Sequence, residues 1–404
     1  MWQATTPTKV RNILSSHNTF FQDSLTKVEI QHRVAEDWIP AKRQSITVRG
    51  LIAALFSILS AATPAVAQRS ADRVIVVTLD GMRWQEIFGG ADRRLMTGAD
   101  GGVADTGLTL RRFWRDDPAG RRRAVMPFLS SMVAERGLLL GDSASGSGFR
   151  VANDQRFSYP GYNELFTGAP DPRITSNDKT PNPNVTVLEW LAGHPGFRGS
   201  VEAYGSWDVF PFIFNTARSR LPVNGDGPPF KTPTTDHQRA TNRFAEWLPN
   251  FWGGVRLDAP TMAAALDALV TRQPRVLVVL LGETDEWAHE RRYDRYLDAA
   301  LRADHFIRQL WEAAQALPGA RGRTSLLIST DHGRGPGRDW TDHGVDVLPA
   351  DRIWMAVMGP KILPNDDLRR QSGTQSQFAA TIAMLVGESW QSARPGAAAP
   401  LRIK

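Results

Sequence analysis

The run Arg73-Val-Ile-Val-Val-Thr-Leu79, stopped by Asp80-Gly81, shows almost no polar alternation. A stretch this apolar and β-branched belongs in a strand covered on both faces, the kind found in parallel sheets flanked by helices. A carboxylate placed directly after such a strand lies on the carboxyl edge of the sheet, where open α/β folds bind ligands. Working outward, the pattern gives a helix over Met126–Arg136 with a strand through Leu140. A turn and short helix over Tyr159–Gly168, a helix over Val185–Ala192 and a strand over Ser200–Tyr204 follow. Regular alternation then resumes: helix Thr261–Thr271, strand Arg275–Leu281, one long helix over Trp287–Ala316, strand Thr324–Thr330, strand Ile353–Met358 and helix Gln375–Val386. That order predicts an α/β fold with a mostly parallel central sheet and helices on both faces. Gly89–Gly120, rich in Gly, Asp and Arg, and the proline- and Asx-rich Ala169–Asn184 read as loops. Ser206–Trp252 is aromatic, proline-rich and aperiodic, so a loop-rich cap is expected over about 177–252.

At 404 residues and 42% hydrophobic content the chain can bury a sizeable core. The apolar stretch Leu51–Ala62 follows Lys42, Arg43 and Arg49 and leads into Ala65-Val66-Ala67-Gln68, the three parts of a secretory signal. The expected organisation is a polar extension over 1–46, lying ahead of a start of translation near residue 40. A signal peptide over 47–67 and one domain over 68–404 complete it. A periplasmic or secreted protein with no stable membrane span in its mature chain is the consequence. Residues 1–67 carry seven Lys/Arg against four Asp/Glu, which leaves 41 against 38 in the remainder. So small an excess argues against a nucleic acid scaffold as partner. Cysteine is absent, which excludes disulfides, thiolate zinc sites, a cysteine nucleophile and a formylglycine made from cysteine.

Three clusters follow three expected strands. They are Asp80; Gly282-Glu-Thr-Asp285-Glu-Trp-Ala-His289; and Asp331-His332-Gly333, with His343 eleven residues beyond His332. Asp285 and His289 are spaced i, i+4, which sets a carboxylate and an imidazole on one helical face, close enough to share a metal. Three of the six histidines beyond residue 67 fall in these clusters, whereas His194, His237 and His305 have no such company. Ser158, in Phe157-Ser-Tyr-Pro-Gly-Tyr162, precedes a turn that opens a helix, where free N–H groups favour an anion. Its hydroxyl is a weak nucleophile at neutral pH, and metal coordination is one route to activating it. Glu283 and Glu286 flank Asp285 and are expected to be exposed at a helix start. Arg334 and Arg338, just beyond Asp331-His332-Gly333, are further candidates for a phosphate oxygen.

The order Asp-Gly after a buried strand, Ser-x-Pro before a Thr-Gly, Asp-x-x-x-His, Asp-His-Gly and a distal His-Gly resembles the alkaline phosphatase superfamily. The likeness is greatest to its nucleotide pyrophosphatase/phosphodiesterase-like branch, from about Arg73 to Val386. The resemblance implies one metal held by Asp80, Asp331 and His332 and another by Asp285, His289 and His343, with Ser158 between them forming a phosphoseryl intermediate. It further implies an asparagine that grips a non-bridging oxygen; spacing gives Asn177, with Asn163 as rival. The sequence departs from the branch in reading Ser158-Tyr-Pro-Gly161 where Thr-Phe-Pro-Asn is usual. Tyr162 stands where sulfatases carry an arginine. Two divalent ions are therefore expected, Zn²⁺ by ligand type with Mn²⁺ as alternative. The expected activity is hydrolysis of a small-molecule phosphate ester. The alternatives are a phosphoryl transferase or mutase of the phosphoglycerate mutase-like type and a non-catalytic periplasmic phosphate-ester binding protein.

Overall fold

A computed structural model describes residues 73–404; the extension and signal expected over 1–67 lie outside the described residues. Ten strands form: β1 Arg73–Leu79, β2 Leu138–Leu140, β3 Phe149–Arg150, β4 Val201–Gly205, β5 Val223–Asn224, β6 Val276–Leu281, β7 Thr324–Ser329, β8 Arg352–Ile353, β9 Met355–Met358 and β10 Gly373–Thr374. Seven of them make the central sheet in the order β2-β9-β7-β1-β6-β4-β5, and β10-β3-β8 form a small second sheet. β1 pairs parallel with both β6 and β7, in a register that sets Leu79 opposite Leu281 and Thr78 opposite Ser329. β9 runs antiparallel to both its neighbours.

The three central strands are buried at every position, as uniformly apolar runs require. Alternate side chains feed two cores. Val74, Val76, Val276 and Val278 pack on one face with Tyr162, Leu165, Leu188 and Phe378, from helices Ser158–Thr167, Val187–Gly193 and Gln377–Leu385. Ile75, Val77, Leu79, Leu277 and Val279 pack on the other with Ala264, Ala268, Tyr296 and Ile307, from helices Asp258–Thr271 and Tyr293–Ala316. Each fully buried aliphatic side chain contributes about 1.5–3 kcal/mol, so the strand directions, and with them the carboxyl edge, are held rigidly.

Three expectations are corrected. The long helix breaks into Glu283–His289 and Tyr293–Ala316, with Arg291 between them at a left-handed φ of 55°. The strand over Ile353–Met358 divides at Trp354, whose indole N–H donates to the Met82 carbonyl (3.0 Å); β8 and β9 therefore join different sheets. Gly89–Gly120 contains helices Gly98–Gly101, Thr106–Phe113 and Pro118–Val125, the second and third capped by Asp105 and Asp117, which accept from the amides of Leu108 (2.8 Å) and Gly120 (2.6 Å). The strand expected over Ser200–Tyr204 forms as β4, and β4 and β5, both within 177–252, join the central sheet. Among the described residues no helix is long and apolar enough to cross a membrane.

Candidate active site

Parallel strands in register deliver their following residues to one rim. Asp80 follows β1, Gly282 and the helix Glu283–His289 follow β6, and Asp331-His332 come one residue after β7. On that rim Asp80 Oδ1 and Asp331 Oδ2 each stand 3.4 Å from His332 Nε2, and Asp285 Oδ1 stands 3.7 Å from it. Ser158 Oγ, at the N-terminus of its helix, is 3.5 Å from the same nitrogen. Asp285 Oδ2 lies 3.1 Å from His289 Nε2, which is 3.0 Å from His343 Nε2. The rings of His332 and His343 stack with centroids 4.0 Å apart. The structure thus brings Asp80, Asp285, His289, Asp331, His332, His343 and Ser158 into one cluster. Two ligand-forming groups stand out by mutual distance, Asp80–Asp331–His332 and Asp285–His332–His343, each with donor atoms within 4.8 Å of one another. His332 belongs to both, and His289 borders the second from its more exposed side.

The electrostatics say what this cluster wants. Three carboxylates, all at most 8% exposed, converge with one buried cation, Arg334, which is ion-paired to Asp285 Oδ1 and donates to the Asp285 carbonyl (3.1 Å). Burial, then the neighbouring Asp285, pushes Asp80 well above the usual carboxylate range. Burial, then Asp80, does the same to Asp331. For Asp285 burial works upward as well, but Arg334, His289 and His343 together outweigh it and hold the group well below that range. Burial, then His332, holds His343 well below the ordinary imidazole value. Asp80 Oδ1 and Asp331 Oδ2 are buried without a hydrogen-bond partner, an arrangement that costs several kcal/mol unless a cation meets them. His332 Nδ1 lies 2.9 Å from the Gly333 carbonyl, which can only accept, so Nδ1 carries a proton, and in the neutral ring Nε2 turns a lone pair toward those same two oxygens. Lone pairs facing lone pairs fit a divalent ion between them.

The remaining polar contacts orient this set. Asp331 Oδ1 accepts from the Gly81 amide (3.0 Å), and Tyr162 Oη donates to Asp80 Oδ2 (3.1 Å). Gly81 is required: its φ is +58°, and a Cβ there would come within 2.6 Å of Asp285 Oδ1. Gly161 is the position where the branch pattern carries asparagine; a Cβ there would meet the Asp331 carbonyl oxygen at 2.5 Å. Asn177 Oδ1 accepts (2.9 Å) from the amide of Tyr159, the residue next to Ser158. Asn163 is instead fully buried, its Oδ1 taken by Asn182 and Asn184 (both 3.1 Å). Glu283 is buried rather than exposed, held by Arg302 and accepting from the Asp258 amide (2.9 Å). Burial, then Asp285, raises Glu286 to about 7. Arg338 is a surface residue paired with Asp100 (2.6 Å). Tyr162 was not singled out by sequence, although its i+4 spacing from Ser158 puts both on one helical face.

A mostly parallel sheet carrying carboxylates and imidazoles on its carboxyl rim defines an alkaline phosphatase-like protein. The family model described as type I phosphodiesterase / nucleotide pyrophosphatase matches residues 164–380, more than half of the chain, and the chain belongs to that family. Among solved structures, the lipoteichoic acid synthase LtaP from Listeria monocytogenes shares the fold at 9% identity and TM-score 0.50, over 79% of this chain and 72% of that one. The C-terminal periplasmic domain of EcEptC from Escherichia coli, solved in complex with Zn, is similar at 10% identity and TM-score 0.46, over 79% and 83%. The 2-O GAG sulfatase BT1596 is similar at 13% identity and TM-score 0.46, over 79% and 71%. No curated protein matches the sequence.

Proposed function

We propose that this protein is an exported, two-metal hydrolase of phosphoric esters with Ser158 as nucleophile. The observation that carries the reading is the pair of partnerless buried oxygens, Asp80 Oδ1 and Asp331 Oδ2, directed at the His332 Nε2 lone pair with Ser158 Oγ 3.5 Å from that nitrogen. Under it, Asp80, Asp331 and His332 hold one ion and Asp285, His289 and His343 the other, with Zn²⁺ the best match to an all-N/O donor set. Such ions supply Lewis acidity, acidifying the serine hydroxyl and offsetting charge on the leaving oxygen.

The chain's own groups do the rest. Ser158 Oγ attacks phosphorus in line as the bond to the leaving alcohol breaks with its electron pair, giving a phosphoserine. Water then attacks that phosphorus, the P–Oγ bond breaks, the phosphate product leaves with the water oxygen, and the proton lost by the water restores the Ser158 hydroxyl. The N-terminal amides of the Ser158 helix favour the anionic phosphoryl group. Asn177, held through Oδ1 by the Tyr159 amide, presents Nδ2 as a donor to a non-bridging oxygen.

The deciding experiment loads the protein with Zn²⁺, measures metal per chain, and assays phosphate monoesters, phosphate diesters and sulfate esters with trapping of ³²P on serine. Two metals, a phosphate-ester activity and a labelled Ser158 are expected. Activity confined to sulfate esters, or full activity in Ser158→Ala, would refute the proposal. The signal expected over 47–67 makes the compartment periplasmic or secreted, which N-terminal sequencing of exported protein tests.

A further inference from the structure

The geometry points, we infer, to Asn153 and Arg156 as positioning residues that hold His343 in place as a ligand; this rests on the two-metal reading above. Asp80, Asp331 and His332 follow closely on strands, and Asp285 and His289 lie on a helix. His343 follows no strand or α-helix directly and lies in chain between the 3₁₀ turns Gly337–Thr341 and Leu348–Asp351. Its ring therefore has to be fixed from outside. The segment just before Ser158 does this twice. The Arg156 carbonyl faces His343 Nδ1 at 3.2 Å, and Arg156 Nη1 donates to the Val345 carbonyl at 2.8 Å. Since a carbonyl only accepts, Nδ1 holds the proton and Nε2 keeps its lone pair toward Asp285 and His289.

That carbonyl is aimed by an uncommon backbone. Arg156 has φ +54°, the left-handed region that non-glycine residues seldom occupy without local support. Asn153 supplies the support: its Oδ1 accepts from the amides of Gln155 (3.1 Å) and Arg156 (2.9 Å). Asn153 is in turn anchored by its amide (2.9 Å) and Nδ2 (2.8 Å), both donating to Glu164 Oε2. Glu164 is a fully buried residue of the nucleophile's own helix, and its Oε1 accepts from Ser376 Oγ (2.7 Å). One line of hydrogen bonds therefore runs from the helix of Ser158 through Asn153 and Arg156 to His343. The nucleophile's helix and the candidate ligand farthest from any strand or α-helix are thereby joined by hydrogen bonds.

The experiment compares Arg156→Gly with Arg156→Val, and Asn153→Ala with Asn153→Ser, in the full chain. Glycine adopts φ +54° freely, whereas valine resists it; serine keeps a short acceptor, whereas alanine has none. Metal per chain, kcat and KM, and the tautomer of the His343 ring by ¹⁵N NMR are measured, with circular dichroism as the control for folding. Arg156→Gly keeps the backbone turn but loses the Nη1 hydrogen bond to Val345, so it should weaken one of the two ions measurably but clearly less than Arg156→Val does. Arg156→Val and Asn153→Ala should bind one of the two ions about 10–100-fold more weakly, with the other retained, and Asn153→Ser should fall between. Equal loss of both ions, unchanged binding in Arg156→Val and Asn153→Ala, or an Arg156→Gly defect as large as that of Arg156→Val each overturns the inference. Should Arg156→Val fail to fold, the Asn153 pair decides by the same criterion. A wild-type chain that takes up fewer than two ions fails differently, removing the two-metal reading first and this inference with it.

Discussion

The two halves of the ligand cluster are built differently. Asp80, Asp331 and His332 come from the ends of β1 and β7, strands locked in the middle of the sheet, and their side chains are at most 8% exposed. Asp285, His289 and His343 come from a seven-residue helix and an irregular loop, and the His289 side chain is 45% exposed. The first half is positioned by the sheet itself. The second depends on added supports: Asp258 accepts from the amides of Gly282 (2.8 Å) and Glu283 (3.1 Å) at the start of the helix, and Arg156 meets His343. Under the proposed two-metal reading, this build gives one ion site closed and held by the sheet and the other bordered by the more exposed His289.

The largest effect belongs to the proposed nucleophile. Ser158→Ala should lower turnover by at least about 10³-fold while metal per chain stays at the wild-type value; parallel loss of metal would mean that the serine is mainly structural. Next, Asp331→Asn should remove the ion of the closed half together with activity, because it replaces a buried carboxylate whose Oδ2 has no other partner. His289→Ala, on the exposed side, should weaken only the second ion, by about 10–100-fold. Identical metal losses in these two variants would erase the distinction drawn above.

Smaller effects test the packing beneath. Gly161→Ala drives a Cβ to within 2.5 Å of the Asp331 carbonyl, so it should cost about 1–3 kcal/mol and reduce occupancy of the closed half first, as read by thermal melting with and without chelator. A pH effect is expected away from the cluster. Burial raises Asp304 to about 7, although it accepts from the amides of Phe128 and Leu129 (both 2.8 Å). Its folded value lies above an unfolded value near about 4, so its contribution is present below that pH and is lost as pH rises through about 7. The melting temperature of metal-loaded protein should fall by a few degrees from pH 5 to 8, and Asp304→Asn should flatten that slope.

Much of this was legible beforehand because it rests on local rules. Val74–Leu79 and Val276–Leu281 had to be doubly buried strands, and the acids and imidazoles placed after β1, β6 and β7 had to share an edge. The break at Arg291 was not legible, since the apolar period runs through it and only a left-handed residue ends the first helix. The helices within Gly89–Gly120 were hidden because the aspartates that cap them also raise the polarity that marks a loop. Asn153 and Arg156 act on the cluster across the fold, through an Asx turn and a carbonyl, and such contacts leave no spacing to read.

The helix Ser158–Thr167 is buried at every one of its ten residues. A segment enclosed on all sides opens only when the domain does, so the amide protons of Leu165 and Phe166 should exchange with solvent at the rate of global unfolding. The Ser158 oxygen, the proposed nucleophile, is then a stationary reference point. Any accommodation between substrates of different shape falls to the surrounding loops, whose exchange should be faster and should respond to the ligand.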